Sequence, residues 1–142
     1  MKATVIQKWA WFFAANFIFI VVISHWPGFT DANGRLFGLF AIDPIDDIFH
    51  FLSGLVAAIV ALHSHKWSTW YFKIAGIPYG IDAITGLFFN REFLNGDVFT
   101  QGLGSPNFAL TNIAVNFPHI LILASMLWLG YFFAPRVKPV AN

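Results

Sequence analysis

The stretch DPIDDIFHFLSGLVAAIVALH, residues 43–63, decides the fold. It opens on Asp43, a side chain suited to accepting backbone N–H groups at a helix start, and continues with Pro44, whose fixed φ suits the first helical position. From Ile48 to Leu62 the run is apolar except for His50 and Ser53. That is the length scale of a transmembrane helix, which needs roughly 20 residues to cross the hydrocarbon core. Reading outward, three more stretches have the same character. One runs from about Trp9 to Trp26 and stops at Pro27-Gly28, one from about Trp70 to Phe89, and one from about Asn112 or Asn116 to Phe133, stopping at Pro135. The expected fold class is all-α, a transmembrane four-helix bundle, with residues 1–142 forming a single membrane domain.

Composition agrees. The chain is 58% hydrophobic and 11% charged, against about 25% charged in ordinary soluble domains. A soluble domain needs a polar shell; lipid removes that need. Trp9, Trp11, Trp26, Trp67 and Trp70 fall near the ends of spans, where aromatic belts form. The lipid bilayer is therefore the first expected partner. Cysteine is absent, which excludes disulfides, thiolate metal sites and cysteine nucleophiles. A formal net charge of +1 provides no basic field for nucleic acid. No small-x-small cleavage pattern follows the first apolar run, where His25-Trp26-Pro27 stands instead, so that run reads as a retained span and not as a signal peptide.

Lys and Arg placement gives the orientation. Lys2 and Lys8 precede the first span, Lys66 lies in the short second loop, Lys73 can snorkel toward that side, and Arg136 and Lys138 follow the fourth span. Only Arg35 and Arg91 lie on the opposite side, among Asp31, Asp43, Asp46, Asp47, Glu92 and Asp97. By the positive-inside rule both termini are cytoplasmic, and the expected location is a bacterial inner membrane.

Aligning His50 on His119 exposes a pattern. Asp43, Asp47 and His50 stand at i, i+4 and i+7, and so do Asn112, Asn116 and His119. Such spacing puts each set on one helix face. The preceding spans each carry one polar residue expected to be buried, Asn16 in the first and Asp82 in the third. Two related hairpins of the same orientation would produce this; so would Asp and Asn serving as caps at the outer interface. Pro118 tests the reading. It would kink a helix beginning at Asn112, and would fall in the first turn if Asn116 were the N-cap.

The run from Leu36 to His50, with Gly54 four residues on, resembles the central motif of a bacterial family of four-helix membrane proteins catalogued as a domain of unknown function, whose pattern is "LFGLFPVN", then a polar residue, a His and a Gly. The segment Gly76-Ile77-Pro78-Tyr79-Gly80 with Gly86-Leu87 looks like that family's third helix, and Asn116 with His119 like its second polar-then-His motif. The likeness covers about Leu36 to Phe132; Asp47 stands where the family usually has Asn, and Pro118 is a departure. The resemblance implies the four-helix fold and transfers no activity.

Depth selects the residues able to carry chemistry. At about 1.5 Å per residue, Asp82, His50 and His119 sit at similar levels in the outer half of the membrane. A carboxylate in hydrocarbon costs roughly 2.5 kcal/mol or more, so Asp82 should face the interior and find a partner in His50 or His119. One reading is structural: Asp47, His50, Asp82, Asn116 and His119 form a polar cluster that fixes helix register in an accessory or structural subunit of a larger membrane complex, with other membrane subunits as partners. Small-residue faces on Gly76 and Gly80, and on Gly54, Ala57, Ala58 and Ala61, suit such packing. The alternative is a cofactor protein, with His50 and His119 as axial ligands to haem b or a (bacterio)chlorophyll and Arg35 or Arg91 near the propionates. A third reading has His50, His119 and Asp82 holding a divalent metal or relaying protons. The loop from Phe88 to Phe108 is expected either to cover the bundle or to meet a partner. His25, His63 and His65 read as interfacial. Phosphate-binding Gly-rich loops, Gly-x-Ser-x-Gly and His-Glu-x-x-His are absent, so no catalytic residue is assigned and an enzyme is not expected.

Overall fold

The computed structural model describes residues 3–137; Lys2 and Lys138, used above for orientation, lie outside the described residues. Four helical passes are long and apolar enough to cross a membrane: Val5–Ser24, Pro44–His63, His65–Phe89 and Leu110–Arg136. All six tryptophans are exposed. So are Phe12, Phe19, Leu62, Ile84 and Phe132, all on helices. An apolar exterior of this extent belongs in lipid, and the chain is a multi-pass membrane protein with an all-α four-helix bundle.

The first pass, α1 (Val5–Ser24), begins with a capping box: the Gln7 N–H donates to the Thr4 hydroxyl, and the Thr4 N–H to Gln7 Oε1. Its Phe13, Ala14 and Phe17 face the core. Asn16 does not. It is exposed and donates to the Phe12 carbonyl of its own helix, contrary to the expectation of a buried polar partner.

The first long loop folds into a short antiparallel hairpin, β1 (Arg35–Leu36) with β2 (Phe40–Ala41). Phe37 and Gly38 both take positive φ (54° and 70°), so the turn from Leu36 to Leu39 needs the freedom of a glycine at its centre. Asp31 Oδ1 accepts the N–H groups of Arg35 at 2.8 Å and Asn33 at 2.9 Å, and the Arg35 bond foremost holds this carboxyl below its ordinary range.

The second pass, α2 (Pro44–His63), starts as expected: Asp43 accepts from the N–H groups of Ile45 and Asp46, with Pro44 behind it. Gly54 lets α1 approach; a Cβ there would stand 3.1 Å from Ile18 and 3.2 Å from the Ala14 carbonyl. The third pass is longer than its hydropathy suggests. It comprises α3 (His65–Ile74) and α4 (Gly76–Phe89), with Ser64 capping its start. The interruption follows from Pro78, which has no N–H to donate to Ile74, the last residue of α3. The Lys73 ammonium lies over the rings of Trp70 and Tyr131, at 5.3 and 5.0 Å.

The second long loop carries one helical turn, α5 (Asp97–Thr100). It lies on the bundle: Leu94 is 2% exposed and joins the core, Gly104 donates to the Phe89 carbonyl, and Asn107 to that of Leu87. Of the two roles expected for this loop, covering is the one its contacts display. Phe99 and Leu103 still point outward.

The fourth pass begins with α6 (Leu110–Leu127), earlier than either expected start, and continues through a π-helical segment (Trp128–Phe133) and a 3-10 turn (Ala134–Arg136). Asn116 is therefore inside the helix and not its cap. Pro118 is interior too, depriving the Ala114 carbonyl of its helical donor. The glycines of the Gly76–Gly80 pair face α6: a Cβ on Gly76 would meet Met126 at 3.0 Å and one on Gly80 would meet Leu123 at 2.6 Å. This small-residue face is used inside the bundle.

A buried carboxylate and an acidic lateral cavity

Asp82 is 1% exposed and fully engaged. Its Oδ2 takes the His119 Nδ1–H at 2.7 Å, and its Oδ1 takes the backbone N–H groups of Phe93 and Leu94, each at 2.7 Å. The carboxylate thus ties α4 to α6 and clamps the second long loop. Helical depth left His50 and His119 open as its partner, and the bond is made by His119. Its backbone donors were not legible, because N–H groups carry no residue signature.

The other candidate residues divide. His50 stands beside the pair, its ring centroid 5.9 Å from that of His119, with the Tyr79 ring 5.6 Å from both. It makes no bond to Asp82; its Nδ1–H goes to the Asp46 carbonyl at 2.8 Å. Asp47 joins a different contact, its Oδ2 lying 2.7 Å from His25 Nε2 across the ends of α1 and α2. Asn116 is buried but donates to the Asn112 carbonyl and packs its amide against Gly86. Asn112 bridges the carbonyls of Gly86 and Asn107. The five-residue cluster is thus a pair, Asp82 with His119, a neighbouring ring, His50, and two separate contacts. The hydrogen bonding of the two hairpins also differs, since the exposed Asn16 has no equivalent of the Asp82 bonds.

Both imidazoles face a cavity of about 500 Å³. α1 supplies Phe12, Phe13, Asn16, Phe17 and Ile20, α6 supplies Val115, Pro118, Leu121 and Ile122, and the first loop adds Leu36, Phe37 and the run from Phe40 to Asp43. Phe12 and Leu121 are themselves exposed on the lipid-facing surface, so the cavity opens sideways. Its polar end is formed by Asp46, His50, Glu92 and His119. Each Nδ1 is committed, leaving each Nε2 without a protein partner among the described residues. Asp46 Oδ1 is buried with no hydrogen-bond partner. Burial, reinforced by the charges of Asp46 and Asp82, pushes the Glu92 carboxyl up to about 7. Asp46 and Glu92 carry no sequence signal beyond their place among the acids opposite the lysine-rich side.

For a cofactor the arrangement is mixed. An imidazole fixed through Nδ1 with Nε2 available is the usual state of a ligating histidine. Yet neither Arg35 nor Arg91 lines the cavity, so haem propionates would meet an acidic rim. Among the described residues, no three His, Asp or Glu side chains are grouped to hold a metal ion.

The fold and this site define a small four-helix membrane protein with a polar pair buried between two passes. A family model described as "Domain of unknown function (DUF4383)" matches residues 7–132, and the chain belongs to that family. Comparison with curated proteins and with solved structures gives no match.

Proposed function

We propose that this protein binds a lipophilic small molecule, taken laterally from the membrane into the cavity between α1 and α6. The single observation that carries the reading is an aromatic and aliphatic cavity of about 500 Å³ that ends in polar atoms lacking partners. Ligand pockets have this character, a mostly apolar lining with a few convergent polar groups that fix orientation. The Nε2 atoms of His50 and His119 have no protein partner among the described residues, and a polar group of the ligand would supply one. The role read from this lining is binding or carriage.

The test is to extract the protein with its surrounding lipid from the native membrane and to identify co-purifying small molecules by mass spectrometry. Val115→Trp, which fills the cavity, should release a species retained by the parent. A Soret or chlorophyll band, or stoichiometric metal lost in His50→Ala, would instead favour the cofactor reading through His50 and His119.

A second reading is an accessory subunit of a larger complex in a bacterial inner membrane, both termini cytoplasmic. A separate apolar groove between α1 and α2, floored by Ala14, Ala15, Gly54 and Ala58, supports it, because small residues allow a partner helix to approach closely. Migration of the gently extracted protein as an isolated species on a native gel would argue against it.

A further inference from the structure

We propose that the occupant of the cavity is a lipophilic organic cation, held by Asp46 and Glu92 at the polar end and by aromatic rings along the walls. This rests on the lateral cavity being a ligand site, and goes beyond it by fixing the charge of the ligand.

The argument is charge complementarity. Four carboxyl groups line the cavity, those of Asp43, Asp46, Asp47 and Glu92, and no Lys or Arg does. Two of the four are already occupied. Asp43 accepts the first N–H groups of α2, and Asp47 meets His25. Asp46 and Glu92 remain. Asp46 keeps a buried oxygen without a donor, and Glu92 has only Asn95, whose Nδ2 donates to Oε2 at 2.7 Å. His119 shares its charge with Asp82 and His50 is bonded to a backbone carbonyl, so the two imidazoles offset only part of the charge at this end. An anionic lipid headgroup or a carboxylate would be repelled here. A neutral ligand would leave the carboxyls of Asp46 and Glu92 in low dielectric with His119 alone to offset them. A cation answers both, and Phe13, Phe17 and Phe40 place aromatic rings along the wall.

The same geometry makes binding proton-linked. Glu92 faces Asp46 from α2, Asp82 from α4, His119 from α6 and Asp97 from α5. The three carboxylates, together with burial, hold it protonated near neutrality, and only His119 opposes them. When a cation enters, the Glu92 O–H bond breaks, its electron pair stays on the carboxylate beside the cation, and the proton leaves to water at the loop end. Cation affinity should therefore rise as pH passes upward through about 7.

The experiment compares two probes of the same size and shape and opposite charge, tetraphenylphosphonium and tetraphenylborate, by equilibrium dialysis against the full-length protein in lipid nanodiscs. The assignment expects saturable phosphonium binding, no saturable borate binding, and tighter phosphonium binding at pH 8 than at pH 6. It also expects at least a tenfold loss in Asp46→Asn/Glu92→Gln, a near-isosteric variant whose folding is checked by its unpaired-probe melting temperature. Equal binding of both ions, or undiminished phosphonium binding in a folded double variant, would overturn the cation assignment while leaving the cavity as a ligand site. Binding of neither ion, in a protein that also carries no co-purified small molecule, would overturn both.

Discussion

The Asp82 carboxylate lies 2.7 Å from the His119 imidazole and, through its other oxygen, accepts two consecutive backbone N–H groups, those of Phe93 and Leu94. One side chain therefore fixes the α4–α6 contact and the position of the loop that covers it. Removing it in Asp82→Ala leaves two N–H groups and one imidazole without acceptors. Unsatisfied buried groups and broken buried charge pairs cost roughly 2–5 kcal/mol. We expect a marked loss of thermal stability in detergent, with faster amide exchange at Phe93 and Leu94. Asp82→Asn keeps an acceptor for both N–H groups, and its exchange at those positions should stay close to that of the parent.

A second prediction concerns close approach. The Asn116 amide sits where a Cβ on Gly86 would be. Gly86→Ala must displace a buried side chain that is bonded to Asn112, and overpacking of this kind costs typically about 1–3 kcal/mol. Gly130→Ala should be worse than Gly76→Ala. A Cβ at Gly130 would lie 2.8 Å from the Lys73 backbone nitrogen and 3.0 Å from the Phe72 carbonyl carbon, whereas at Gly76 the nearest atom, Met126 Cβ, is 3.0 Å away and the nearest backbone atom 3.5 Å. Melting temperatures of the three variants check the order.

The parts of this fold legible in the sequence are those written in side-chain chemistry. Asp43 with Pro44 announced the start of α2, and four apolar runs announced four passes. The depth of Asp82, His50 and His119 along their helices pointed to a histidine partner, without choosing between the two, because a carboxylate in lipid must find one. What stayed hidden depends on backbone atoms or on rotation about a helix axis. Asn16 has the same composition-level signal as a buried polar residue, yet it is exposed at the side of the lateral cavity and its amide is satisfied by the Phe12 carbonyl. Asn116 looks like a cap until α6 is seen to begin at Leu110. The cavity arises from the separation of α1 and α6, to which no local pattern is tied.

Orientation is testable without background, since the chain has no cysteine. Ala32→Cys and Lys66→Cys place single thiols at exposed positions in the first long loop and the short second loop. On the proposed orientation, with both termini cytoplasmic, a membrane-impermeant maleimide applied from outside intact spheroplasts should label position 32 and spare position 66. Inverted vesicles should reverse the pattern. Labelling of position 66 from outside would reverse the topology and place the acidic cavity end on the cytoplasmic face.

The last prediction follows from Glu92, whose carboxyl is raised from an ordinary 4.5 to about 7, first by burial and then by the charges of Asp46 and Asp82. In the unfolded chain the group loses its proton near 4.5; in the folded protein it keeps it to about 7. Between those values the folded state binds more protons than the unfolded state, so stability must fall as pH rises through that window and level off above it. The sign is opposite to that of a salt-bridged carboxylate, which stabilises as pH rises. The full effect is on the order of a few kcal/mol, reduced by whatever solvent reaches the group. Melting temperature in the ligand-free protein should decline from pH 5 to pH 7.5. Glu92→Gln, which can keep an acceptor for Asn95 and cannot ionise, should flatten that slope and leave the protein more stable than the parent at pH 7.5. A slope unchanged in Glu92→Gln would move the titration to another group and remove Glu92 from the proton-linked step at the cavity.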